Sequence, residues 1–113
     1  MKVVIQDAIK DRPDLNSAVE SATALLEREV SSSPGKIRTD WSLLQDEAGR
    51  ELIDLRVSDW TGSVGYRFAP AELSDEPQMR RRLHRLWGDL LQVRSHVQLD
   101  EEWWHLLQGQ GGH

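Results

Sequence analysis

Residues 50–73 read RELIDLRVSDWTGSVGYRFAPAEL, and this stretch constrains the fold more than any other. Apolar side chains alternate at Ile53, Leu55 and Val57, and again at Val64, Tyr66 and Phe68. Asp59-Trp60-Thr61-Gly62 stands between the two runs. Two period-2 runs around an Asp/Gly turn specify a β-hairpin with one apolar face. Such a face cannot remain in water, so the rest of the chain must supply its cover.

Upstream, Ile37, Thr39, Trp41 and Leu43 alternate with Arg38, Asp40 and Ser42, the pattern of a third one-sided strand. Residues 45–50, with Gly49, turn it into the next. The expected sheet is a three-stranded antiparallel β-meander with strands near 37–43, 51–58 and 63–68. Its open face would carry Arg38, Asp40, Asp54, Arg56 and Arg67.

The cover is helical. Residues 3–10 read as a short amphipathic helix, with a strand over 3–5 as the alternative. Asp14 is a good cap for a helix over 14–30, with Leu15, Ala18, Val19, Ala22, Leu25 and Leu26 on one side. Residues 31–35, Ser-Ser-Ser-Pro-Gly, form a loop. After a turn at Pro70, Ser74 would cap a long helix over 75–98. Its stripe is Met79, Leu83, Leu86, Leu90, Val93 and Val97, widened by Trp87 and Leu91. Asp100 would start a last short helix bearing Trp103, Trp104, Leu106 and Leu107. The expected fold is therefore α+β, in the order α-α-β-β-β-α-α, with the helices on one face. Residues 1–108 would form a single domain and 109–113 a flexible glycine-rich tail.

The totals narrow the function. With 113 residues, 38% hydrophobic and 29% charged, the chain suits one globular domain. No apolar run reaches the ~20 residues of a membrane span, and the N-terminus lacks the apolar core of a signal peptide. The cytoplasm is the default expectation. The chain has no cysteine, which excludes disulfides, thiol catalysis and cysteine-ligated metals. No HExxH, phosphate loop or Ser-His-Asp set occurs, so neither an enzyme nor a cofactor is expected. Glu101 and His105 have helical i,i+4 spacing, but no dense ligand set accompanies them.

Two features stand apart from the core pattern. The chain has 5 tryptophans against 1 Phe and 1 Tyr. They can fill a small core or mark an interface, where Trp is enriched. Consecutive residues on a helix point ~100° apart, so one core seldom takes both Trp103 and Trp104. Gly88 falls opposite the stripe of the long helix, where it costs ~1 kcal/mol against Ala. Either a kink or a closely packed second surface would account for it. Trp103, Trp104, Gly88 and Trp60 are the candidate protein-interface residues.

The other feature is Arg80, Arg81, Arg82 and Arg85 at the start of the long helix. They form either a solvated, ion-paired face or a phosphate-binding patch. Arg94 falls inside the apolar arc, where it would snorkel, pair with a buried acid or stack on Trp. The hairpin VSDWTGSVGYRF resembles strands 2 and 3 of an OB-fold, where an Asp-x-Thr-Gly turn joins two strands that bind single-stranded nucleic acid. An OB barrel needs five strands, and after Phe68 this chain reads as helical. The net charge of −5 also repels polyanions. The expected function is a non-catalytic protein-interaction module, self-associating or serving as an adaptor or subunit of a larger assembly. The alternative is single-stranded nucleic-acid or phosphate binding through the four arginines and the Trp60 turn.

Overall fold

In the computed structural model of the chain, residues 1–30 and 37–111 are described, with side chains as far as residue 97. The chain runs β1 (Lys2–Ile5), α1 (Asp7–Lys10), α2 (Pro13–Val30), β2 (Arg38–Gln45), β3 (Glu51–Asp59), β4 (Gly62–Phe68), a 3-10 turn (Pro70–Ser74) and α3 (Glu76–Gly111). The fold is α+β, with a four-stranded mixed sheet in the order β1-β2-β3-β4.

The register carries the alternation across the whole sheet. Val3, Thr39, Val57 and Val64 form one row on the helix side. Ile5, Trp41, Leu55 and Tyr66 form the next, and Leu43, Ile53 and Phe68 a third. Ile53, Leu55, Val57 and Phe68 are buried, and Val64 and Tyr66 half-buried, as the hairpin pattern requires. Leu15, Val19 and Leu26 of α2 share this core with Met79, Leu83, Leu86 and Leu90 of α3. The opposite face stays open. There Arg67 reaches Asp54 across the ladder at 3.5 Å, and Arg38 pairs with Asp40 at 2.9 Å.

Two expectations need correction. The sheet is not a three-stranded meander, because residues 2–5 are a strand and not the start of a helix. Val3-Val4-Ile5 is a β-branched run whose stiff side chains suit a pleated surface. It lies parallel to β2, pairing Lys2 with Arg38 through to Ile5 with Trp41, and so covers an edge that would otherwise be bare. Val3 and Ile5 then pack on the core. Only Asp7–Lys10 remains helical before α2, and the connection from β1 to β2 is a crossover through both helices. The order is thus β-α-α-β-β-β-α, with the 3-10 turn before α3.

The second correction concerns the last helix. No break occurs at Asp100, and α3 is one helix of 36 residues. Residues 97–106 contain neither Gly nor Pro, and a mid-helix Asp costs under ~1 kcal/mol, too little to stop a helix. The helix start also shifts: Asp75 and not Ser74 accepts the Gln78 N–H, at 3.3 Å. At 1.5 Å per residue α3 is ~54 Å long, and the molecule is correspondingly elongated, 63 × 32 × 23 Å.

Candidate functional site

The β3–β4 turn is tied to α3, and the tie begins with Asp59. Its Oδ1 accepts the Thr61 N–H at 2.8 Å and the Thr61 hydroxyl as well. These local bonds close the turn. Its Oδ2 accepts from Nη2 of Arg94 at 2.8 Å and from Nε at 3.2 Å. The ion pair is largely dry, with the Asp59 side chain 2% exposed and that of Arg94 14%. Burial pushes the Asp59 carboxyl up, but the Thr61 hydroxyl, Arg94 and the Thr61 amide outweigh it and hold it below its ordinary value. The Arg94 guanidinium also lies 5.5 Å from the Trp87 ring centre. Pairing with a buried acid and stacking on a Trp, the alternatives left open by the sequence, both occur.

Gly62 completes the junction. Its φ is +156°, and a Cβ there would come within 2.9 Å of Val93 Cγ1, so the turn lies directly on the helix. Two residues before Gly62, Trp60 is 64% exposed. The outcome is a large apolar ring held out from a turn that is fixed on both sides. Further along β4, the Tyr66 hydroxyl donates to Asp89 at 2.7 Å. Burial and the Asp89 carboxylate raise the Tyr66 pKa.

The other tryptophans divide. Trp41 and Trp87 are core residues. Trp103, Trp104, Glu101 and His105 lie outside the residues whose side chains are described. Gly88 is exposed, and a Cβ on it would meet nothing within 4 Å. No other element of the described chain packs there. Leu91, placed by its spacing on the flank of the core stripe, is instead 39% exposed.

The arginine group does not act as one patch. Arg80 pairs with Glu76 at 2.6 Å. Arg82 pairs with Glu72 at 2.8 Å, donates to the Arg67 carbonyl and lies 4.3 Å from the Phe68 ring centre. It thus ties α3 to the 3-10 turn and to β4. Arg81 and Arg85 are exposed and make no ion pair among the described residues. Nor does the fold bring the four together with the Trp60 turn. That turn meets α3 at Val93 and Arg94, about 20 Å along the helix from Arg81.

Elsewhere, an open groove of about 550 Å³ runs between α2 and the 3-10 turn, lined by Ser17, Ser21, Leu25, Arg28, Leu73 and Glu76. Among the described residues, no group of three or more His, Asp or Glu side chains gathers as a metal would require. No described helix is long and apolar enough to cross a membrane. The Asp59–Arg94 tie was missed as a unit because its partners lie 35 residues apart. The available signal was the pairing of an arginine inside an apolar arc with an aspartate beside a turn glycine. Comparison with protein families, with curated proteins and with solved structures finds no match for this chain.

Proposed function

We propose that the protein is a non-catalytic interaction module that binds another protein surface, as a self-associating unit or as a subunit of a larger assembly. The observation that carries this reading is the mounting of Trp60. Its indole is 64% exposed, yet the turn beneath it is fixed by the Asp59–Arg94 pair and by Gly62 against Val93. A free loop would lose entropy on docking, whereas a fixed turn has already lost it. Exposed Trp on a rigid base is the residue type that dominates protein interfaces, where truncation commonly removes 2 kcal/mol or more. The exposed back of α3 around Gly88 offers a second surface.

The test is Trp60→Ala in the full chain. Light scattering coupled to size exclusion and capture from cells expressing the protein are compared with wild type. The expected result is an unchanged melt with a changed mass or a lost partner. An unchanged mass and an unchanged set of captured proteins would overturn the reading for this surface.

A further inference from the structure

The side of α3 turned away from the core has a periodicity of its own. Arg81, Arg85, Gly88, Gln92 and Ser95 are all exposed and follow one another at spacings of 4, 3, 4 and 3. They make one continuous seam along the outer face of α3, without an apolar side chain from Arg81 to Ser95. Continued through the same unbroken helix, the seam falls on positions 99, 102 and 106, which are Leu, Glu and Leu. The charge along the helix is lopsided. Residues 76–94 hold 5 Arg against Glu76 and Asp89, and residues 95–111 hold Asp100, Glu101 and Glu102 with no Arg or Lys.

We propose that this seam binds a second copy of the chain, the two α3 helices running antiparallel about a two-fold axis between residues 93 and 94. In that register three of the four seam pairings are complementary, while Arg81 faces position 106, a Leu. Arg85 faces position 102, a Glu; Gly88 faces position 99, a Leu; Gln92 faces Ser95. A two-fold interface uses the same patch twice, so each pairing occurs twice. The exposed Arg81 and Arg85 of each helix lie toward the acidic 100–102 segment of the other, and this self-complementarity selects a copy of the chain over an unrelated partner. Gly88, where a Cβ would meet nothing within 4 Å among the described residues, leaves the space a larger residue opposite would occupy. The proposal deepens the interaction reading but uses α3 and not Trp60, so either can fail alone.

Sedimentation of the full chain over a concentration series gives the test. Wild type is expected to form a dimer. Arg85→Glu and Glu102→Arg should each weaken it tenfold or more, and the double variant R85E/E102R should return it to within about threefold of wild type. Within one straight helix positions 85 and 102 are ~25 Å apart, so the rescue cannot arise inside a single chain. The chain has no cysteine, so Ser95→Cys supplies a unique thiol. A short bismaleimide should join two such chains, but not two Arg81→Cys chains, whose thiols would sit ~37 Å apart along the axis. A wild type that stays monomeric, or a double variant no better than the singles, would overturn the proposal.

Discussion

The two hairpin turns of the sheet follow one local formula and end in different roles. Asp46-Glu47-Ala48-Gly49 joins β2 to β3, and Asp59-Trp60-Thr61-Gly62 joins β3 to β4. In both, the Asp carboxylate takes the N–H two residues on, at 2.9 Å from Ala48 and 2.8 Å from Thr61. In both, the glycine has positive φ, +78° and +156°. In both, the Asp pairs with an arginine. At the first turn this is Arg50, only four residues on, with its side chain 80% exposed. At the second it is Arg94, from a helix 35 residues away. The same turn chemistry thus yields a self-contained loop in one place and a fixed platform in the other. The difference lies in what the rest of the fold sets against the turn.

The largest expected difference is at the two aspartates. Asp59→Asn removes the carboxylate charge paired with the mostly buried Arg94, and should cost about 3 kcal/mol in urea titration. Asp46→Asn disturbs an exposed, solvent-screened pair and should shift the urea midpoint far less. The Asp59 contribution has a defined pH window. Because its folded pKa lies below the ordinary value, its stabilisation is complete well above about pH 4 and lost as pH falls through the folded value. The gap between wild type and Asp59→Asn should therefore be widest near neutral pH and close in strong acid. A gap that persists at low pH would mean that the carboxylate charge is not what holds the turn to α3.

The glycines should differ less. Gly62→Ala meets both the backbone restriction and Val93 at 2.9 Å, and should cost about 2–3 kcal/mol. Gly49→Ala shares the restriction at φ +78° but has nothing within 4 Å, and should cost about 1 kcal/mol. Equal losses in thermal melts would show that β4 does not rest on the helix through Gly62.

The two turns also show what a sequence of this kind discloses. The hairpin over 51–68 was legible because both its signals, alternation and turn chemistry, are local. The stripes of α2 and of the first half of α3 were legible for the same reason. β1 was not, because Val3-Val4-Ile5 becomes a strand only through β2, which begins at Arg38, more than thirty residues on. The end of α3 was misjudged because Asp100 looks like a cap to a local rule, yet nothing there interrupts the helix. At the candidate site, Trp60 and Gly88 could be named from spacing alone. The clamp that makes Trp60 a fixed ring could not, because Arg94 carries no mark in the sequence of which acid it meets.

A third glycine extends the comparison in the opposite direction. Gly88 has neither positive φ nor a neighbour for its missing side chain. In an isolated chain, Gly88→Ala should therefore stabilise by about 0.5–1 kcal/mol through helix propensity. Denaturation of dilute protein is the measurement. A loss of stability would show that something in the chain occupies that space.

The smallest effect on folding is expected at the exposed ring of Trp60. Glu47 and Trp60 hold the same position in their turns, directly after the Asp, and both are exposed. Trp60→Glu makes the second turn match the first at that position while leaving Asp59, Thr61, Gly62 and Arg94 in place. An exposed side chain whose backbone is held by its neighbours contributes little to stability, so the change should stay within about 0.5 kcal/mol of wild type. A nearly unchanged melt would locate the role of Trp60 outside the fold, since a tryptophan left in water without benefit to stability is what an interface anchor looks like before its partner arrives. A loss of 2 kcal/mol or more would instead make the ring part of the clamp on α3. The platform would then be a structural brace, and the interaction reading would rest on the helix alone.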